Sequence, residues 1–186
     1  MNGRLAVLGI ALAFTLSVAS APAEIRKLMQ FGDGKLTPSF ELVLTPPKDW
    51  VEDKAASRDN GVQVMVPRGK TFGNAPAVMY VKVSSRPDSQ SVEDFVRVSQ
   101  ERWRGSVRDT KIERIADVGR ANGQPTFVSY RYENPSRPQQ RFEAVSFAID
   151  KDNDGNSFFV MVALTGREKK AIDRAMAPYN AFLKQH

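Results

Sequence analysis

Short runs of alternating apolar residues, separated by turns, constrain what this chain can become more than any other feature. Ser39 to Thr45 places Phe40, Leu42 and Leu44 on one side, and Gly61 to Val66 does the same with Val62, Val64 and Val66. Ala77 to Ser84 turns Val81 and Val83 inward and Lys82 out. A period of two is the signature of half-buried strands. Pro46-Pro47 ends the first run, and residues 67–76, rich in Gly and Pro, separate the second from the third. Further runs follow at Ile112 to Val118 and, after a turn at Asn122-Gly123, at Thr126 to Tyr132. Arg141 to Asp150 and Ser157 to Thr165 pair as a hairpin.

Two stretches change to helical spacing. Ser91 opens the first with Asp94 as its capping-box partner, and Val92, Phe95, Val96, Ser99 and Trp103 form one apolar stripe up to a stop at Gly105. The second, Arg167 to Lys184, aligns Ile172, Ala175, Met176, Tyr179, Phe182 and Leu183, with Pro178 expected to interrupt or kink it. The order is three strands, a helix, four strands and a last helix. That order predicts an α+β fold, a mainly antiparallel sheet with helices covering its faces.

The beginning of the chain reads as a secretory signal peptide over residues 1–23. Arg4 precedes the uncharged apolar run Leu5 to Val18, and Val18-Ala19-Ser20 and Ala21-Pro22-Ala23 offer two cleavage registers. The apolar run is shorter than the roughly 20 residues a bilayer-crossing helix needs, so an uncleaved anchor is the lesser alternative. The expected organisation is a signal peptide (1–23), a lead-in (24–38) with a turn at Gly32-Asp33-Gly34, and a single domain (39–186). The mature protein is expected to be periplasmic or secreted, without stable membrane insertion.

Composition then removes several chemistries. The chain has no cysteine, which excludes disulfides, thiolate catalysis and cysteine-bound zinc. Its one histidine is His186, the last residue of the sequence. Chain ends are usually poorly ordered, so no positioned imidazole is expected for a Ser-His-Asp arrangement. The balance of 27 Lys+Arg against 21 Asp+Glu allows acidic partners without demanding one.

Three groups of residues remain as candidate sites. Asp150, Asp152, Asp154 and Asn156 in Asp150-Lys151-Asp152-Asn153-Asp154-Gly155-Asn156 match the first half of an oxygen-donor calcium loop, in which alternate carboxylates converge and Gly allows the turn. The second half is missing: Met161 stands where a bidentate Glu belongs. A polar hairpin turn is the competing reading of the same residues, and no cofactor is expected apart from that calcium. Arg97, Arg104 and Arg108, with Arg102, Lys111 and Arg114, make a basic face suited to an acidic protein partner. No recognised nucleic-acid module accompanies it. Glu113, Glu133 and Glu143 would serve a carboxylate enzyme on cell-envelope glycans only if two of them converged in a cleft, and strand acids generally face water.

Local patterns add a resemblance. Phe40-Glu41-Leu42 leading into Pro47-Lys48-Asp49-Trp50, Ser91-Val92-Glu93-Asp94-Phe95 at the middle helix, Asn122-Gly123-Gln124-Pro125 before a strand ending Tyr130-Arg131-Tyr132, and the closing Pro178-Tyr179-Asn180-Ala181-Phe182-Leu183 resemble the PsbP-like superfamily. That group includes the PsbP photosystem subunit, a Ran-binding import factor and the DcrB proteins. The resemblance covers about residues 36–186. It implies an αβα sandwich serving as an accessory, partner-binding protein without catalysis, and it carries no functional residue onto a numbered position.

Overall fold

The computed structural model describes residues 24–32, 35–87 and 89–186. The signal-peptide reading of residues 1–23, and the Asp33-Gly34 part of the expected turn, lie outside them. Nine strands and three helices follow in order: β1 (Glu24–Gly32), β2 (Lys35–Val43), β3 (Trp50–Glu52), α1 (Lys54–Asn60), β4 (Gln63–Pro67) and β5 (Ala77–Ser85). Then come α2 (Val92–Ser106), β6 (Lys111–Arg114), β7 (Val128–Glu133), β8 (Phe142–Lys151), β9 (Ser157–Gly166) and α3 (Lys169–Gln185). Seven strands form an antiparallel sheet in the order β3-β4-β5-β9-β8-β7-β6, and β1 and β2 pair separately as a two-stranded ribbon. The expected α+β class, with a large antiparallel sheet, is what forms.

The pleat assigns each residue a face. On one face Met79, Val81, Val162, Leu164 and Ala144 pack against Ile172, Ala175, Tyr179, Phe182 and Leu183 of α3, and Leu42 and Leu44 from the end of β2 join the same core. The Tyr179 hydroxyl donates to Ser146 Oγ (2.8 Å) and to the Val162 carbonyl (2.9 Å), fixing α3 to the sheet centre. Gln63 bonds both the N–H and the carbonyl of Leu44 through its side chain (3.1 and 2.7 Å), tying β4 to the chain leaving β2. On the opposite face α2 presents Val96, with Val92, Phe95 and Trp103, to Val145, Phe147, Ala163 and Tyr132. Phe95 stacks on Phe159 at 4.2 Å between ring centres. Next to it the short α1 covers β4 and β5 through Ala56, Val64, Val66 and Val78. Helices therefore lie on both faces.

Several expectations are corrected. The lead-in from residue 24 is a strand, because β1 pairs with β2 along its length. β3 and α1 were not foreseen; three and seven residues are too few to display a period. Asp53 caps α1 by accepting from Ala56 N (3.1 Å), and Gly61 ends it at φ +63°, the left-handed region glycine enters freely. The capping box at Ser91 and Asp94 forms as expected, although α2 passes Gly105 and ends at Ser106. The run expected over Ile112 to Val118 is a strand only to Arg114, followed by a single bridge from Val118 to Phe127. Pro178 sits inside an unbroken α3. Its cost of roughly 3 kcal/mol is exceeded by burial of Ile172, Tyr179, Phe182 and Leu183, worth roughly 1.5–3 kcal/mol each.

His186 also departs from expectation, for it is buried. Its ring packs on Phe182, and its carbonyl oxygen accepts from Arg120 Nε (2.7 Å). Burial lowers the tendency of its imidazole to take a proton.

Candidate functional site

Two helices on one face of a seven-stranded sheet leave a gap between them. α1 covers β4, α2 covers β8 and β7, and the stretch of β5 and β9 between them forms the floor of a cleft of about 550 Å³. Val62, Val64 and Val78 make the apolar side of that floor, with Tyr80 and Thr165 beside them. Ala75 and Phe72, from the loop after β4, form one wall, and Gln139 and Gln140 form the other. The volume falls within the roughly 300–1,000 Å³ of typical ligand sites.

Phe72 is the unusual member, because half of this large ring is exposed. It is not loosely held. Asp53, already the cap of α1, accepts a second hydrogen bond from Phe72 N (2.8 Å), and Asn74 accepts from Thr71 N (2.9 Å). The bonds that Asp53 accepts from Phe72 N, foremost, and Ala56 N hold its carboxyl below the ordinary carboxylate range. One carboxylate thus fixes a helix start and the aromatic rim together.

The opposite wall rests on a buried polar hub. Asn134 is fully buried; its Nδ2 donates to the Gln140 carbonyl (2.8 Å) and to Glu143 Oε2 (3.0 Å). Its Oδ1 accepts from Trp103 Nε1 (3.1 Å) and from the Thr110 hydroxyl. A single amide therefore joins α2, the turn after it, the Pro138–Gln140 helical turn and β8. Arg137 lies over the Trp103 ring at 5.0 Å, a cation–π contact.

Glu143 sits beneath this wall, 3% exposed. Burial pushes its carboxyl up to about 7, opposed by the Asn134 amide and by Thr165, Arg137 and Tyr80 around it. Register aligns Glu143 with Thr165 of β9, and Thr165 with Val78 of β5. Glu143 Oε1 and Thr165 Oγ1 both lack a partner of hydrogen-bond geometry. The cleft floor thus ends on Thr165, whose hydroxyl is buried beside the Glu143 carboxyl.

The residues singled out in the sequence lie elsewhere. Asp150 pairs with the buried guanidinium of Arg120 at 2.8 Å. Asp152 accepts from Asp154 N, Asn156 N and Asn156 Nδ2 (3.0, 2.8 and 2.8 Å), closing the β8–β9 turn on itself. The Asn156 side chain, foremost, holds the Asp152 carboxyl low. Among the described residues no three acidic or histidine side chains gather in a way that could hold a metal ion.

Arg97 and Arg104 line one shallow recess with Arg114 and Tyr130, and Arg108 stands outside it. Arg97 is held by Asp94 (3.4 Å) and Glu101 (3.3 Å), and Arg114 by Asp117 (2.9 Å). Much of the basic face is therefore neutralised from within. Glu143 corrects the expectation that strand acids face water. The alternating pleat places it on the α2 face, whereas Glu113 and Glu133, aligned with Arg131 and Phe142, belong to the α3 face.

Sequence reasoning missed Phe72, Tyr80, Thr165 and Asn134. One signal was available: β5 is apolar on both sides, since Val78 and Tyr80 alternate with Met79 and Val81, and that requires cover on both faces. No family model matches the chain, and no curated protein matches it.

Proposed function

We propose that this protein is an exported accessory module, of the PsbP-like kind, that docks a protein partner of the cell envelope or the secreted fraction without carrying out catalysis. The α1–α2 cleft is the docking point. The observation that carries this reading is the half-exposed Phe72, held at the rim of an apolar recess by backbone bonds to Asp53 and its neighbours. Exposing an aromatic ring to water is unfavourable, and rings fixed at recess edges are typical anchors of interfaces. Two further features support it. The leader-like residues 1–23 suit export, and no helix among the described residues is long and apolar enough to cross a membrane. The P-x-x-W segment of the resemblance forms a tight turn, with Trp50 N donating to the Pro47 carbonyl (3.0 Å) and Asp49 at φ +64°.

The test is site-specific photo-crosslinking in the cells that make the protein, with the photoreactive side chain at position 72. A discrete adduct to one polypeptide is expected, lost when Val78→Arg fills the cleft floor and absent when the probe replaces exposed Lys184. Identical adducts from positions 72 and 184, or none from position 72, would overturn the docking reading.

A further inference from the structure

The cleft has a direction. Its floor follows β5, where Ala77 pairs with Gly166 at one end and Lys82 with Met161 further along. Arg167, the residue after Gly166, lines the first end, and Lys82 lines the other. By register Arg167 lies opposite position 76, so the two are six positions of strand apart, about 20 Å at ~3.3 Å per residue. Both cations are exposed, and neither has an ion-pair partner among the described residues. Among the described residues no Asp or Glu lines the cleft between them.

Polar groups run along the same length. Gln139 and Gln140 stand along the wall, and Asn60 lines the cleft with them. An acyl chain or other hydrocarbon body brings nothing to pair with them. A polypeptide brings backbone N–H and carbonyl groups along its length, and the extended ligands that other domains bind as an added strand use such groups together with side-chain pockets. Covering the Gln139 and Gln140 amides unpaired would cost free energy, so an occupant with backbone polar groups fits better.

We infer that the occupant of the α1–α2 cleft is an extended segment of the partner polypeptide, about seven residues long, with apolar side chains in its middle and Asp or Glu at both ends. This rests on the docking reading above and adds the chemistry of the docked segment. The apolar middle covers Val64 and Val78 against Phe72, and the acidic ends meet Lys82 and Arg167. Charge at the two ends sets selectivity, as interfacial charges generally do.

The experiment measures binding of two synthetic heptapeptides to the purified full-length mature protein by fluorescence anisotropy. Both have the same leucine and phenylalanine centre; one ends in acids and the other in lysines. At low salt the acidic peptide should bind about tenfold more tightly, the gap closing as added salt screens the ends. The double variant Lys82→Glu, Arg167→Glu should reverse the preference. Both altered cations are exposed, and an unchanged circular dichroism spectrum would confirm that the variant folds. Equal affinity of the twins, or an unchanged preference in the double variant, would overturn the inference. So would a free fatty acid that displaces the acidic peptide and binds more tightly. If neither peptide binds while position 72 still cross-links to a partner, the segment chemistry is wrong and docking stands. If the cross-links are absent too, both readings fall.

Discussion

A carboxyl group enclosed between a sheet and its covering turn titrates differently from one in water, and Glu143 shows this. Its folded-state value, pushed up to about 7 by burial, exceeds the ordinary 4.5 of an exposed glutamate. The folded protein therefore keeps a proton that the unfolded chain releases. Between those two values folding takes up a proton, so stability falls as pH rises. The contribution is fully present below about 4.5 and lost by the time pH passes about 7, a difference of roughly 3 kcal/mol. Glu143→Gln removes the titration and keeps an oxygen for the Asn134 amide. Urea unfolding at pH 5 and pH 8 should show wild type losing stability across the interval by that amount more than the variant. Parallel losses in both proteins would mean that Glu143 is already ionised in the fold. Sequence could not reveal this group. Strand acids at positions 113, 133 and 143 look alike until the register places one of them under a helical turn and leaves the others on the far side.

At the scale of elements, the legible parts were those long enough to show a period. The β8–β9 hairpin, β5, the capped α2 and the apolar side of α3 all follow from spacing, because each buries one defined stripe or face. What escaped was short or tertiary in origin: α1 is stabilised by Asp53, Gly61 and the Ser57 Oγ that accepts from Val64 N (2.9 Å), and β1 is a strand only because β2 lies beside it. The junction of β9 with α3 provides a test of packing. A Cβ on Gly166 would lie 2.8 Å from the Pro76 carbonyl oxygen and 3.1 Å from Ile172 Cδ1, a backbone collision that no rotamer relieves. Gly166→Ala should therefore cost roughly 1–3 kcal/mol, seen as a lower urea midpoint with an unchanged slope. A midpoint equal to wild type would show that β5 and β9 separate there without penalty.

Over the whole molecule, stability should be graded outward from the sheet centre. β5, β9 and β8 are paired on both sides and packed against α3, whereas β1 pairs only with β2 in a separate ribbon. A two-stranded ribbon is marginal on its own. Native-state hydrogen exchange should find β8 and β9 amides exchanging only through global unfolding and β1 amides opening far more readily. Equal protection in β1 and β9 would mean that the ribbon belongs to the central cooperative unit. The candidate site was the least legible level of all, since Phe72, Val78, Thr165 and Gln140 come from four separate segments and meet only through the sheet order. The margins of that sheet carry a consequence of their own. Its outermost members, β3 and β6, have three and four residues, stubs too brief to template another chain by main-chain pairing. Growth of the seven-stranded sheet at its rims is thereby discouraged, and a partner of that sheet meets its face.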